Sequence, residues 1–229
     1  DTDRSRGLGD VYKRQGKDQT FSAKLTGDGD ITFAGGSITI GDGDTDVTND
    51  VANVNTGRVF VRDGRVTAGK DTAFGDGSTL IVADGGSVDF GDFDQTLGVL
   101  EARGDDALIG GEGSVITITD DMIITGENDE FHSKLELKFS GEGLVTDVDG
   151  LGDGDISIGE DYTLILADEE LSGTDKNLVE NNIDGAGTVV VGSDGATGTI
   201  ELGGKNSGLT GDVTVKDGWT LEASMGANE

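Results

Sequence analysis

The sequence predicts an all-β protein, a right-handed parallel β-helix (β-solenoid) with coils of about 20 residues. Three observations predict it: short β-branched runs in which apolar and polar residues alternate, a recurring spacing, and 41 glycines without a single proline. Alternation places one face of each strand inward. A proline would remove a backbone donor from a sheet that is paired on both edges, so its absence fits the fold.

Composition limits the classes of function. The net charge is −30, from 46 acidic and 16 basic residues, and hydrophobic residues make up 33% of the chain. Such a composition can leave a chain disordered, but the ordered alternation argues against disorder for most of it. The acidic charge repels phosphate, so we expect no nucleic-acid partner. With no cysteine, stability must come from backbone ladders and stacked coils.

The two ends differ from the rest. Residues 1–15 hold four basic residues, Arg4, Arg6, Lys13 and Arg14, and lack the apolar centre of a signal peptide. We predict that 1–15 is a non-native or disordered leader and that 16–229 is the β-helix. The chain stops in mid-pattern, which suggests a fragment of a longer protein.

Repeated segments supply the coils. Each has a short alternating strand, a turn at Asp-Gly or a similar polar pair, and a second strand. The clearest copies are 57–69, 78–91, 154–167 and 211–224, and looser ones are 28–41, 111–126, 133–148 and 185–204.

Equivalent positions give the period. Val59 to Leu80 and Leu135 to Ile156 are each separated by about 21 residues, a spacing typical of short solenoid repeats. Leu80 to Ile156 and Ile156 to Val213 are read as four and three steps of about 19. The string Val-Arg-Asp-Gly-Arg-Val at 61–66 is also a β-hairpin signal. An antiparallel sandwich or meander therefore stays open as the alternative fold.

Two stretches resemble a known family. Residues 182–224, with Leu202-Gly203-Gly204-Lys205-Asn206-Ser207-Gly208-Leu209-Thr210-Gly211 at their centre, resemble the passenger-associated repeat of bacterial autotransporters. Leu209 stands where that repeat usually has an aromatic residue. Residues 74–104 are similar to another passenger stretch, through Gly75-x-Gly77-x-x-Leu80, Gly86-x-Val88-Asp89 and Asp94-Gln95-Thr96-Leu97-Gly98-x-Leu100.

The resemblance implies a passenger that a C-terminal outer-membrane β-barrel carries to the surface of a Gram-negative cell. It implies an extracellular location and binding to host or bacterial surface molecules, or self-association. We therefore predict a structural and adhesive rod segment that is not an enzyme. The alternatives are a β-helical polysaccharide lyase or hydrolase, and a rod of the phage tail-fibre type.

Candidate site residues are few. His132 is the single histidine, and we expect it in an exposed polar loop. The sequence contains no Gly-Asp-Ser-Gly turn that would supply a serine nucleophile for it to activate. Asp-Gly runs suggest calcium, but the tandem calcium-roll motif is missing and we interpret them as solvated corners. These runs are Asp28/Asp30, Asp42/Asp44/Asp46 and Asp153/Asp155.

Glycan cleavage would need converging carboxylates with basic and aromatic side chains. Asp120 and Asp121 are adjacent acids, and Trp219 is the single tryptophan. We expect Trp219 to lie outward or at an edge, at the position that Arg65 and Tyr162 hold in other copies. We assign no catalytic, cofactor-binding or metal-binding residue and no cofactor.

Overall fold

The computed structural model describes residues 12–13, 19–41, 53–104, 106–126, 131–167 and 176–223. They form a parallel β-solenoid of about nine turns of roughly 21 residues each, which confirms the predicted parallel β-helix. No helix in the described ranges is long and apolar enough to cross a membrane. The described strands are β1 (Tyr12–Lys13), β2 (Gln19–Phe21), β3 (Thr26–Gly27), β4 (Ile31–Ala34), β5 (Ser37–Ile40), β6 (Val54–Asn55), β7 (Arg58–Arg62), β8 (Gly64–Ala68), β9 (Ser78–Ala83), β10 (Gly86–Asp89), β11 (Gln95–Arg103), β12 (Leu108–Ile118), β13 (Met122–Ile124), β14 (Phe131–Leu137), β15 (Glu142–Val145), β16 (Ile156–Ile158), β17 (Thr163–Leu166), β18 (Lys176–Val179), β19 (Ile183–Gly185), β20 (Thr188–Val191), β21 (Gly198–Leu202), β22 (Val213–Val215) and β23 (Trp219–Ala223).

The longest sheet, which we call the first face, runs the length of the stack. Its strands are β1, β4, β7, β9, the second half of β11, β13, β15, β17, β20 and β22, and each pairs in parallel with the next. Because every described strand pair is parallel, the hairpin alternative is wrong.

Two further faces each extend along part of the stack. The third face pairs the first half of β11 with β12, then β14, β16 and β19. The second face begins with β2, β5, β8, β10 and the start of β12. Near the other end of the stack, β18, β21 and β23 form a separate three-stranded parallel sheet, and a short 3-10 helix at Val148–Leu151 contacts β18.

The register corrects part of the predicted spacing. Leu80 pairs directly with Leu100 on the first face, and Leu135 pairs directly with Ile156 on the third face, so each of these pairs is separated by one turn. The multiple spacings, from Leu80 to Ile156 and from Ile156 to Val213, compare strands on different faces. Leu80 and Val213 belong to the first face, whereas Ile156 belongs to the third. Distances between such strands are not whole numbers of turns.

Asp-Gly pairs turn corners instead of closing hairpins. Asp63 has φ 55° and Gly64 has φ 114°, so the chain bends once between β7 and β8. The corners then stack: the Gly64 amide donates to the Gly85 carbonyl at 3.2 Å. A Cβ on Gly64 would lie 2.5 Å from the Gly36 carbonyl oxygen. Glycine is therefore required here by both the positive φ and the closeness of the neighbouring turn.

The interior is mostly apolar. Inward residues of the first face, such as Leu80, Leu100 and Ile124, are fully buried, and successive inward residues stack from turn to turn along the register. Burying each such side chain stabilises the fold by about 1.5–3 kcal/mol. Aromatic rings form a second column: Phe74 and Phe90 lie edge to face with centroids 5.9 Å apart, and Phe90 and Phe131 are 6.4 Å apart.

Candidate functional site

The structure places His132 in strand β14, so the prediction of a loop is wrong. Strand alternation continues through this segment: Phe131 and Ser133 are buried, whereas His132 points outward. Its Nδ1 lies 2.5 Å from Oδ1 of Asp153, and both side chains are exposed, at 45% and 59%. The pair forms because Asp153 lies one turn further along, where its amide donates to the Phe131 carbonyl at 3.3 Å.

A groove of about 350 Å³ surrounds this pair. The imidazole beside a carboxylate could transfer a proton, and two further carboxylates give the groove a negative charge. Ser133 is not available as a nucleophile, because it is buried and its Oγ lies 2.6 Å from Oγ of Ser114. The groove is lined by His132, Val148, Asp149, Gly152, Asp153, Leu178 and Glu180.

The Asp-Gly aspartates are dispersed in the stack. Asp30 binds Arg58 through both oxygens, with Nη2–Oδ2 at 2.6 Å and Nε–Oδ1 at 3.2 Å, and this hydrogen bonding lowers the pKa of Asp30. Asp155 accepts a hydrogen bond from Asn182 at 2.7 Å. In the described ranges, no group of three or more histidine, aspartate or glutamate side chains could hold a metal ion. Asp42, Asp44 and Asp46 lie outside the described residues.

Other corner aspartates bind the next turn of the stack. The Asp94 amide donates to Oδ1 of Asp71 at 2.9 Å, and Oδ1 of Asp94 accepts the Val115 amide at 2.8 Å. One side chain after another thus links consecutive turns. Sequence analysis missed this role, because the backbone amide that each aspartate binds belongs to a neighbouring turn, which only the structure identifies.

Asp120 and Asp121 form one of these corners. Oδ1 of Asp121 accepts the Glu142 amide at 3.1 Å, and neither acid lines the groove at His132. The nearby Tyr162 is fully buried and its hydroxyl has no hydrogen-bond partner among the described residues. Burial above all, and then the charges of these two acids and Glu142, raise the pKa of Tyr162.

Trp219 is a core residue, contrary to the sequence prediction. It is 7% exposed, and its ring lies against Gly192, where a Cβ would come within 2.3 Å of the indole. The Nε1 group donates to the Ser193 carbonyl at 3.2 Å. Tyr162 is buried before β17 and Arg65 is exposed in β8, so these three residues do not share one position. The absent side chain at Gly192 leaves the space that the indole fills.

The outward side of the first face carries an aliphatic column that sequence analysis also missed. Ile123, Leu144, Ile165 and Val190 are partly exposed and are consecutive register partners. The signal was present as apolar residues at both alternating positions of these strands. We call Ile123, Leu144, Ile165 and Val190 the aliphatic column.

Known proteins give no further guide to these surfaces. No family model matches the chain, and neither the curated proteins nor the solved structures contain a match.

Proposed function

We propose that the chain is a structural and adhesive rod segment of a secreted or surface-displayed protein of the autotransporter passenger type. One observation carries the proposal: the first face continues in register from β4 to β22, so the chain forms an elongated stack with long outer surfaces. Such a stack extends by adding turns, and its surfaces suit contact by shape and hydrogen bonding.

One passenger-like segment, residues 182–224, supports this proposal through its contacts between neighbouring turns. In 182–224, Oδ1 of Asn206 accepts the Ile183 amide at 2.9 Å and its Nδ2 donates to the Gly204 carbonyl at 3.0 Å. Leu209 forms a parallel bridge with Gly185. Asn206 and Leu209 thus hold one turn on the next, which is a structural role for a repeated motif.

The flanking coding sequence tests the proposal. We expect an upstream secretory signal and a downstream region of alternating strands of roughly ten residues, typical of an outer-membrane barrel. A second test fuses residues 16–229 between such a signal and barrel in a Gram-negative host, and measures protease-accessible protein on intact cells. A flanking catalytic domain or a phage structural gene cluster would contradict the passenger assignment.

The groove at His132 is the observation that favours the enzymatic alternative. Its histidine–aspartate pair and additional carboxylates lie on one outer surface. Release of reducing ends from polysaccharides, lost in His132→Gln and retained in Thr117→Ser, would support a hydrolase. We expect no such release, because the described residues that line the groove include no lysine, arginine, tyrosine or tryptophan to bind a sugar.

A further inference from the structure

The aliphatic column lies beside acidic side chains on the outward side of the first face. Asp121 and Glu142 each stand two residues before a member of the column, and both are exposed. Because side chains two residues apart point to the same side of a strand, each acid lies about 6.8 Å from the apolar residue of its own strand. Glu142 is the register partner of Thr163 in the next turn, so the polar border of the column continues along the stack.

The charge beside the column is of one sign. Lysine, arginine and histidine are absent from the segments that form this surface, which are residues 120–126, 141–146, 160–167 and 186–192. We call the charged side chains of these segments, all of them exposed acids, the acidic edge: Asp120, Asp121, Glu142, Glu160 and Asp161. Among the described residues, none of them forms an ion pair. Lys138, the nearest basic residue along the chain, is paired with Glu136 at 2.5 Å instead.

An apolar column with an acidic edge is complementary to a partner that has an apolar side bordered by cations. Nucleic acids and anionic membranes are repelled by these carboxylates. A second copy would bring the same acids to the surface, on a chain of net charge −30. A basic partner is attracted both by the acidic edge and by the field of the whole molecule. Charge therefore selects a cationic partner.

The spacing along the column selects a helix. Successive column residues are one strand spacing apart, about 4.8 Å. One side of an α-helix recurs about every 5.4 Å along the helix axis, whereas one side of an extended strand recurs about every 6.8 Å. Over the three steps from Ile123 to Val190, a helix departs from the column spacing by about 2 Å and a strand by about 6 Å. Apolar residues of a helix that lies along the stack can therefore contact each column residue in turn.

We propose that the aliphatic column and the acidic edge bind a cationic amphipathic helix of another polypeptide. The helix lies along the stack, with its apolar side on the column and its lysine or arginine side chains at the acidic edge. The inference names a partner for one surface of the proposed rod, and its biological role rests on that proposal. Because the surface is flat and its carboxylates are exposed, binding is weak and salt-dependent, with a dissociation constant on the order of 10 μM at low salt.

Fluorescence anisotropy tests the inference with a labelled leucine–lysine peptide of about 18 residues, whose leucines share one side of the helix. A scrambled peptide of the same composition keeps the charge and lacks the apolar side. We expect the amphipathic peptide to bind about tenfold more tightly than the scrambled one. Its binding should weaken between about 20 mM and 200 mM salt. Equal affinities of the two peptides would reduce the interaction to general attraction of opposite charges and overturn the inference.

Paired threonine substitutions locate the contact on the column. Leu144→Thr/Ile165→Thr introduces residues that suit a strand and should weaken peptide binding about tenfold. Ile81→Thr/Val115→Thr is the matched control, because both residues are partly exposed and lie outside the column, and it should leave the affinity unchanged. Equal losses in the two variants would place the contact elsewhere and overturn the inference.

Charge variants keep the inference testable if the threonine variants unfold, because they change exposed side chains only. Asp121→Asn/Glu142→Gln retains an acceptor oxygen for the Glu142 amide and should weaken peptide binding about fivefold at low salt. Asp149→Asn/Glu180→Gln removes the same amount of charge at the groove and is the control. A loss in the first variant that is no larger than the loss in the control would overturn the acidic edge as part of the site.

Sedimentation of the chain with and without the peptide distinguishes this partner from a second copy. A dimer that Leu144→Thr/Ile165→Thr abolishes and that excess peptide does not dissociate would assign the column to a second copy and overturn the inference. Failure of peptide binding leaves the rod proposal intact, since surface display and the flanking coding sequence test that proposal separately.

Discussion

Aspartate side chains at the corners of the solenoid accept hydrogen bonds from backbone amides. The amino-acid composition alone does not reveal this role of single residues. Forty-six acidic residues predict a solvated, repulsive surface, and the sequence offered calcium as the other interpretation. Asp71 and Asp94 instead accept amides of the following turn. Sequence could not predict this use, because it depends on which turn lies above each corner.

Asp94→Ala should destabilise the fold by about 1–2 kcal/mol, since the Val115 amide loses a charge-assisted acceptor. Urea denaturation followed by circular dichroism measures the change. Asp94→Asn retains an acceptor oxygen and should recover most of the loss. Asp76→Ala, at an exposed position, is the matched control, and a loss as large as that of Asp94→Ala would contradict the role of the hydrogen bond.

Tyr162 should make the fold sensitive to alkali. Its pKa is raised by burial and by neighbouring acids, so the folded state keeps its proton at a pH where the unfolded state has lost it. Stability is therefore fully present below the unfolded pKa of 10.0 and falls as pH rises above it, by up to about 1.4 kcal/mol per pH unit.

Tyr162→Phe should remove this pH dependence and leave stability at neutral pH equal or slightly higher, because the buried hydroxyl has no partner among the described residues. Urea midpoints at pH 8 and pH 11 measure the difference. If wild type and Tyr162→Phe lose the same stability between these two values, the buried tyrosine is not the cause.

The elements show where sequence patterns were sufficient and where they were ambiguous. Alternation correctly predicted strands such as β7, β9 and β17, because burying one side of a strand demands a period of two. The Asp63-Gly64 pair was ambiguous, because a left-handed turn serves a hairpin and a solenoid corner equally. Only the pairing of β7 with β9, one turn away, decides between them.

The contact between Gly192 and Trp219 shows how one element depends on its neighbour. Gly192→Ala should destabilise the last described turns by about 2–4 kcal/mol, through backbone strain at φ 98° and the clash with the indole. Gly195→Ala has a similar φ of 86° but nothing within 4 Å of its Cβ, and should cost about 1–2 kcal/mol.

Fluorescence of the single tryptophan reports unfolding of these turns directly. A red shift and an earlier urea midpoint are expected in Gly192→Ala relative to Gly195→Ala. Equal midpoints in the two variants would contradict the packing of the indole against Gly192.

At the scale of the whole molecule, the sequence repeat predicted the solenoid architecture. It did not predict the two surface features of the solenoid, the groove and the aliphatic column. The pairs Val59–Leu80 and Leu135–Ile156, from which the period was inferred, are true register partners. The groove at His132 and the aliphatic column arise from residues in different turns, and their juxtaposition needs the register of several strands at once. The turns from Leu164 to Val189 and from Ile156 to Ile183 are longer than the average turn, and they break the constant period that sequence analysis assumed.

The stacking of each turn on the one before it underlies both the fold and the proposed rod, and engineered disulfides test it most directly. Ser157 and Asp184 are register partners in adjacent turns, whereas Thr117 and Ser157 are two turns apart. Adjacent positions lie about 4.8 Å apart and can be bridged, but positions two turns apart exceed the roughly 7 Å limit. We predict that Ser157→Cys/Asp184→Cys forms an intramolecular disulfide on oxidation and that Thr117→Cys/Ser157→Cys does not. Failure of the first pair to bridge, or equal bridging of both pairs, would contradict the stacked solenoid.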